Sequence, residues 1–185
     1  MLRNKFNLFL VGMLALLTSS CNSPGEITTK HDPYTGGKVM TLSLGHFESL
    51  EQPGLIKDMW GNLEQTENSL TSTPDYLLEV ITYGEGDGTQ CACAEKGGRV
   101  IFLIDEKKTE IAVKEDANTL ERRPGFLAPG CQELVKVGPL PQTLINDIIT
   151  ARDVRFKLYG NRYNIEGKMK PEQITEIHKF VKKGN

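Results

Sequence analysis

The stretch Val154-Arg155-Phe156-Lys157-Leu158-Tyr159-Gly160-Asn161-Arg162-Tyr163-Asn164-Ile165-Glu166-Gly167-Lys168, running on into Met169-Lys170-Pro171-Glu172, decides the fold class of this chain. Val154, Phe156 and Leu158 alternate with Arg155, Lys157 and Tyr159, the period-two pattern of a strand with one face buried. Gly160-Asn161 supplies a two-residue turn, because both residue types tolerate positive φ, and Arg162 to Lys168 returns as the partner strand. Pro171 suits the first turn of a helix. Behind it Ile174, Ile177 and Val181 recur on one side with Phe180 beside them, while Lys179, Lys182 and Lys183 complement the negative end of the helix dipole. A hairpin covered by an amphipathic helix predicts an α+β protein, an antiparallel meander of β-hairpins with two or three amphipathic helices packed on the sheet.

Outward from this stretch the patterns are shorter. Pro139-Leu140-Pro141 opens a helix with Leu144, Ile145, Ile148 and Ile149 on one face, so residues 139–185 form a candidate C-terminal helix-hairpin-helix lobe. Upstream, Tyr76 to Tyr83, Gln90 to Ala94, Arg99 to Ile104, Thr109 to Lys114 and Glu133 to Gly138 read as strands bounded by glycines or charges. Residues 116–130, with Pro124-Gly125 and Pro129-Gly130, read as a long loop. Val39 to His46 is the expected first strand, with Met40, Leu42, Leu44 and His46 on one side. Pro53, Leu55, Ile56, Met59, Trp60 and Leu63 are spaced as a helical stripe that makes Trp60 a core anchor. Residues 22–37 carry one aliphatic side chain, Ile27, and are expected to form a tether rather than to pack. A single domain over 38–185 is the resulting organisation.

Ahead of the tether, Met1-Leu2-Arg3-Asn4-Lys5 is positively charged, and Phe6 to Leu17 is apolar apart from Asn7. The unbroken run Leu8 to Leu17 spans about 15 Å as a helix against a hydrocarbon core of about 30 Å, too short for a permanent membrane span. Thr18-Ser19-Ser20-Cys21 then puts three small residues before a thiol. A charged start, a short apolar core and small residues directly before a cysteine resemble bacterial lipoprotein signal peptides, over the first twenty-one residues only. The resemblance implies that residues 1–20 are removed and that Cys21 carries a covalent lipid. It also implies attachment to a bacterial membrane, with the outer membrane suggested by Asn22 in the place where Asp would retain a Gram-negative lipoprotein inside. The family pattern prefers Leu three residues before the cysteine, where this chain has Thr18.

The net charge of the whole chain is −2. Loss of Arg3 and Lys5 with the leader makes the remainder more acidic still, which gives nucleic acid no electrostatic reason to bind and excludes it as a partner. With Cys21 assigned to lipid, Cys91, Cys93 and Cys131 remain. Outside the cytoplasm thiols oxidise, and Cys91 and Cys93, on one face of a strand, are too close-set to bridge each other without strain. The expectation is a disulfide from Cys131 to Cys91 or Cys93, which would contribute roughly 4 kcal/mol by closing a loop of about forty residues. The odd count leaves one thiol over and keeps a redox or metal role open, although a fourth ligand and the usual spacing of two residues are missing.

Three further features carry weaker signals. Gly84-Glu85-Gly86-Asp87-Gly88 alternates glycines, but its carboxylates and its place before a strand suit a connection rather than a phosphate cradle or a calcium site. His31, His46 and His178 stand apart in sequence, so structural or solvated roles are expected. Lys107-Lys108, Arg122-Arg123 and Lys182-Lys183 read as a hairpin turn, a loop and a helix end, and together as a weak candidate for an anionic ligand. No catalytic residue, resident metal or cofactor is expected beyond the lipid on Cys21. Two functions follow: a non-enzymatic binding or scaffolding module with an envelope protein as partner, or a thiol-dependent or metal-binding envelope enzyme built on Cys91, Cys93 and Cys131.

Overall fold

Backbone donors and acceptors in a strand must find partners on neighbouring strands, and here every pairing among the described residues is antiparallel. The structure, a computed structural model, describes residues 23–31, 37–50, 58–67, 74–85, 98–112, 119–124, 129–160 and 164–184. Its strands are β1 (Ile27–His31), β2 (Lys38–His46), β3 (Glu48–Ser49), β4 (Asp58–Glu67), β5 (Asp75–Glu85), β6 (Arg99–Ile104), β7 (Lys107–Ala112), β8 (Thr119–Pro124), β9 (Pro129–Leu140), β10 (Val154–Leu158) and β11 (Ile165–Lys168). Two helices accompany them among the described residues, α1 (Gln142–Thr150) and α2 (Pro171–Gly184). A six-stranded sheet runs β1-β2-β4-β5-β9-β8 and a five-stranded sheet runs β3-β11-β10-β6-β7. The chain is thus broadly α+β and mostly β.

One apolar core joins the inner faces of both sheets to both helices. The larger sheet contributes Leu42, Leu63, Leu78 and Val80, the smaller one Val100, Phe102, Phe156 and Leu158, and the helices Ile145, Ile148, Ile177 and Phe180. Phe47, between β2 and β3, meets Phe156 edge-on with ring centroids 5.1 Å apart, which couples one sheet to the other. Gln173 fixes α2 in place. Its Nε2 donates to the carbonyls of Leu44 at 2.8 Å and His46 at 3.2 Å, and its Oε1 accepts from the Lys170 N–H at 2.7 Å. One buried side chain therefore caps a helix and satisfies the end of β2.

The C-terminal strands and helix stand near where their periodicity predicts, with Val154, Phe156 and Leu158 buried and Arg155 exposed, but Leu158 pairs with Ile165, so six residues join the two strands, the return strand starts at Ile165, and Gly160-Asn161 is not the expected two-residue turn. The hairpin is not part of a separate lobe, however: β10 pairs with β6 over five residues and β11 pairs with β3. Four other expectations are corrected. The helical stripe around Trp60 is strand over its described part, because Met59, Gly61, Leu63 and Gln65 also alternate, and those are the side facing the core. Gly61 is part of the reason: a Cβ there would lie 2.6 Å from the Phe47 ring and from the Glu79 carbonyl, so the position serves close packing in a sheet. Trp60 consequently points to the outer face and is half-buried.

The expected loop over 116–130 contains β8 and the start of β9, paired from Thr119↔Leu134 to Pro124↔Pro129. Its prolines sit where a sheet tolerates them, on an edge strand and at a strand's first residue. Within the expected tether of residues 21–37, Ile27–His31 pairs with β2 as an edge strand, from Ile27↔Leu42 to His31↔Lys38. Backbone hydrogen bonds make that strand, so a scarcity of apolar side chains does not prevent it. In β2 a bulge between Ser43 and Gly45 shifts the alternation, which moves His46 from the core side to the outer face opposite Trp60. The expected strand Gln90 to Ala94 lies outside the described residues.

Candidate functional site

Alternation forces the odd-numbered side chains of β6 and β10 outward, since Val100, Phe102, Ile104, Val154, Phe156 and Leu158 fill the core. Register then aligns the outward side chains into cross-strand rows on the five-stranded sheet. The first row is Lys168–Arg155–Leu103–Lys108, the second Glu166–Lys157–Ile101–Glu110. A third begins with Tyr159, whose N–H donates to the Arg99 carbonyl at 3.4 Å and whose ring lies 5.0 Å below the Arg99 guanidinium carbon. A groove of 270 Å³ crosses these rows, with Leu50, Ile101, Leu103 and Tyr159 among its walls and Lys108, Arg155, Lys157 and Glu166 as its charges. Leu50 is 41% exposed, the one large hydrophobic residue so exposed among the described residues.

The charges on this face are organised by carboxylates. Asp153 meets both Arg155 and Lys168 at 2.7 Å, and the hydrogen bond from Lys168, with the Arg155 charge, holds its carboxyl below the ordinary 3.8. Glu166 pairs with Lys157, and Glu110 with Arg99 at 3.4 Å. Lys108 has no ion-pair partner among the described residues. Leu103 and Arg155 also border a wider depression of 810 Å³ that reaches Asp105, Glu106, Thr150 and Arg152. There Asp105 and Glu106 form the β6–β7 turn with φ of 44° and 72°. The Asp105 carboxylate accepts the N–H groups of Arg152 at 3.1 Å and Asp153 at 2.9 Å, tying the turn to the start of β10. Three cations, one carboxylate, an aromatic ring and an aliphatic floor suit an extended ligand that is acidic and partly apolar.

On the larger sheet the outer face carries a different cluster. Lys136 bridges Glu79 at 2.8 Å and Glu64 at 3.2 Å, and Asn62 Nδ2 donates to Glu79 at 3.0 Å. Burial alone would lower the Lys136 pKa, but the hydrogen bond and charge of Glu79, helped by Glu64, raise it above 10.5. In the core, Gln65 lies opposite Tyr76, both fully buried, and burial pushes the Tyr76 hydroxyl above its ordinary 10.0.

Among the described residues, those singled out by sequence do not converge. Cys21, Cys91 and Cys93 lie outside the described residues, and of Cys131 only the backbone is described, in β9 opposite Gly84 and Arg122. The expected bridge to Cys91 or Cys93 therefore falls outside the described residues. Gly84 and Glu85 end β5, and the rest of their glycine-rich run is not described. His31 ends β1, His46 stands 3.6 Å from Asp58 at the end of β2, and His178 is in α2. The Lys107-Lys108 pair follows the Asp105-Glu106 turn instead of forming it, Arg122-Arg123 is in β8 and Lys182-Lys183 in α2. Only Lys108 of these belongs to the groove. Arg155, Lys157 and Lys168 were visible in sequence as the outward half of the hairpin, whereas Ile101, Leu103 and Leu50 joined them through register alone.

Among the described residues no group of three or more His, Cys, Asp or Glu side chains is placed to hold a metal ion, and no helix is long and apolar enough to cross a membrane. Comparisons with family models, curated proteins and solved structures found no match.

Proposed function

We propose that this chain is a bacterial lipoprotein, anchored through lipid on Cys21, whose domain is a non-enzymatic binding module of the cell envelope. It takes an acidic, extended segment of another envelope protein on the outer face of the five-stranded sheet. The groove that runs past Leu50, Ile101, Leu103 and Tyr159 between Lys108, Arg155 and Lys157 carries this reading. Its charge excess is positive although the whole chain is at −2, which is the local asymmetry an acidic partner needs.

A photo-crosslinking residue in place of Leu103, in cells, tests the module. The expected result is a discrete adduct that Arg155→Glu abolishes and that the same probe at Thr41, on the outer face of the larger sheet, does not yield. Identical adducts from both positions, or an adduct indifferent to Arg155→Glu, would overturn the assignment. The anchor is tested separately: Cys21→Ala releases the protein from membranes or blocks its maturation. A variant that matures and stays on membranes like the parent refutes it.

A further inference from the structure

The domain is fixed to its own N-terminus almost from the first residue after the anchor, and this limits how it can stand on a membrane. Ser23 N–H donates to Glu26 Oε2 at 3.0 Å, Gly25 N–H donates to the Ser43 carbonyl at 2.8 Å, and Ser43 N–H donates to the Glu26 carbonyl at 2.9 Å. Pro24 packs on Gly45, where a Cβ would lie 2.7 Å from the proline ring and where φ is +69°. Glycine is required there on both counts. A single residue, Asn22, separates Cys21 from Ser23, so the two Cα atoms are at most about 7 Å apart. A lipid on Cys21 therefore brings the C-terminal end of β2 down to the headgroups.

That end carries a band of side chains suited to the place. Register sets His46, Trp60, Ile81 and Leu134 in one row across four strands on the outer face, with Ile81 buried beneath its neighbours, and Tyr83, opposite Asp58, on the same face beyond it. His46 and Trp60 rings lie 6.0 Å apart. The row runs across the strands, so it is parallel to the membrane when the strands stand upright on it. Trp and Tyr, apolar bodies with one polar atom, concentrate at the boundary between headgroups and acyl chains. Glu48 and Glu172 near this end, with Asp58 facing His46 and Glu176 paired with Lys179, give no net attraction to anionic lipid, which leaves Trp60, Tyr83 and Leu134 as the contact.

We propose that the end of the six-stranded sheet bearing Trp60 and Tyr83 rests in the interfacial layer of the membrane that holds Cys21, with the strands upright. This rests on the lipid-anchor reading. Trp60 is the single tryptophan of the chain, so its emission reports the contact directly. The lipidated protein is reconstituted into vesicles of phosphatidylethanolamine and phosphatidylglycerol containing phosphatidylcholine brominated on its upper acyl carbons. The expected result is loss of Trp60 emission in the brominated vesicles. In a Trp60→Phe, Thr66→Trp double variant, the probe moves about 20 Å along β4 and its emission is retained. Protein that floats with the vesicles but whose Trp60 is unquenched, or equal quenching at both positions, overturns this orientation and leaves the anchor standing. Protein that does not float with the vesicles overturns the anchor and the orientation together.

Discussion

The outer faces of the two sheets use charge in opposite ways. On the six-stranded sheet, Lys136, Glu64 and Glu79 are 28%, 19% and 10% exposed and share one network with Asn62. On the five-stranded sheet the Arg99–Glu110 pair is 56% and 46% exposed, and its neighbours surround a groove. Sheltered charges interact strongly and are costly to leave unpaired, whereas exposed pairs are screened and contribute little to stability. The first face is therefore tied to folding, whereas pairs as exposed as Arg99–Glu110 contribute little to it, with Asp153 and Lys168, 29% and 33% exposed, between the two.

The largest test of this contrast is Lys136→Met, which leaves Glu64 and Glu79 facing each other without a cation. It is expected to destabilise the protein by about 2 kcal/mol at neutral pH, measured by chemical denaturation. The pH dependence has a definite sign. Because the folded state raises the Lys136 pKa, its contribution is complete below 10.5 and is lost as pH rises through the higher folded value. The gap between parent and variant should close in that alkaline range, and a gap that stays constant would detach the effect from the charge. Next in size, Asp105→Ala removes the acceptor of two backbone N–H groups at the edge of the second face and should cost about 1 kcal/mol. Arg99→Gln is the smallest, below about 0.5 kcal/mol, with the Leu103 adduct weakened rather than the fold. A large thermal shift from Arg99→Gln would erase the distinction between the faces.

An acid arm complements the alkaline one. The Asp153 carboxyl is held below 3.8 by Lys168 and Arg155, so its contribution is present above 3.8 and disappears as pH falls through the lower folded value. Asp153→Asn should flatten the stability profile in that acid range, and an unchanged profile would show that the pairs on this face carry no folding energy.

Legibility followed the range of the interactions. The C-terminal hairpin, its helix and α1 were readable because an alternating or helical stripe beside proline and glycine punctuation is a local signal. The stretch around Trp60 was misread because Met59, Trp60 and Leu63 satisfy a helical spacing while Met59, Gly61 and Leu63 satisfy a strand. The choice was made by Phe47 packing over Gly61 and by β2 and β5 on either side. β1 was invisible because an edge strand needs little apolar burial, and His46 changed face because a bulge intervened. Part of the groove could be anticipated from Arg155, Lys157 and Tyr159. The rest came from Ile101 and Leu103 of β6, Lys108 of β7 and Leu50 just after β3, all more than forty residues away in sequence.

By itself, then, the sequence determined an α+β chain with a buried hairpin and amphipathic helices, since each of those elements is encoded within a few turns of its own backbone. Only the tertiary structure decided that the hairpin completes a second sheet, that Leu103 and Ile101 lie between its cations, and that Trp60 stands at the same end of the six-stranded sheet as Pro24 and Gly45. Those juxtapositions depend on strand register across the sheet, which pairs residues far apart in sequence and is set by the fit of the whole core.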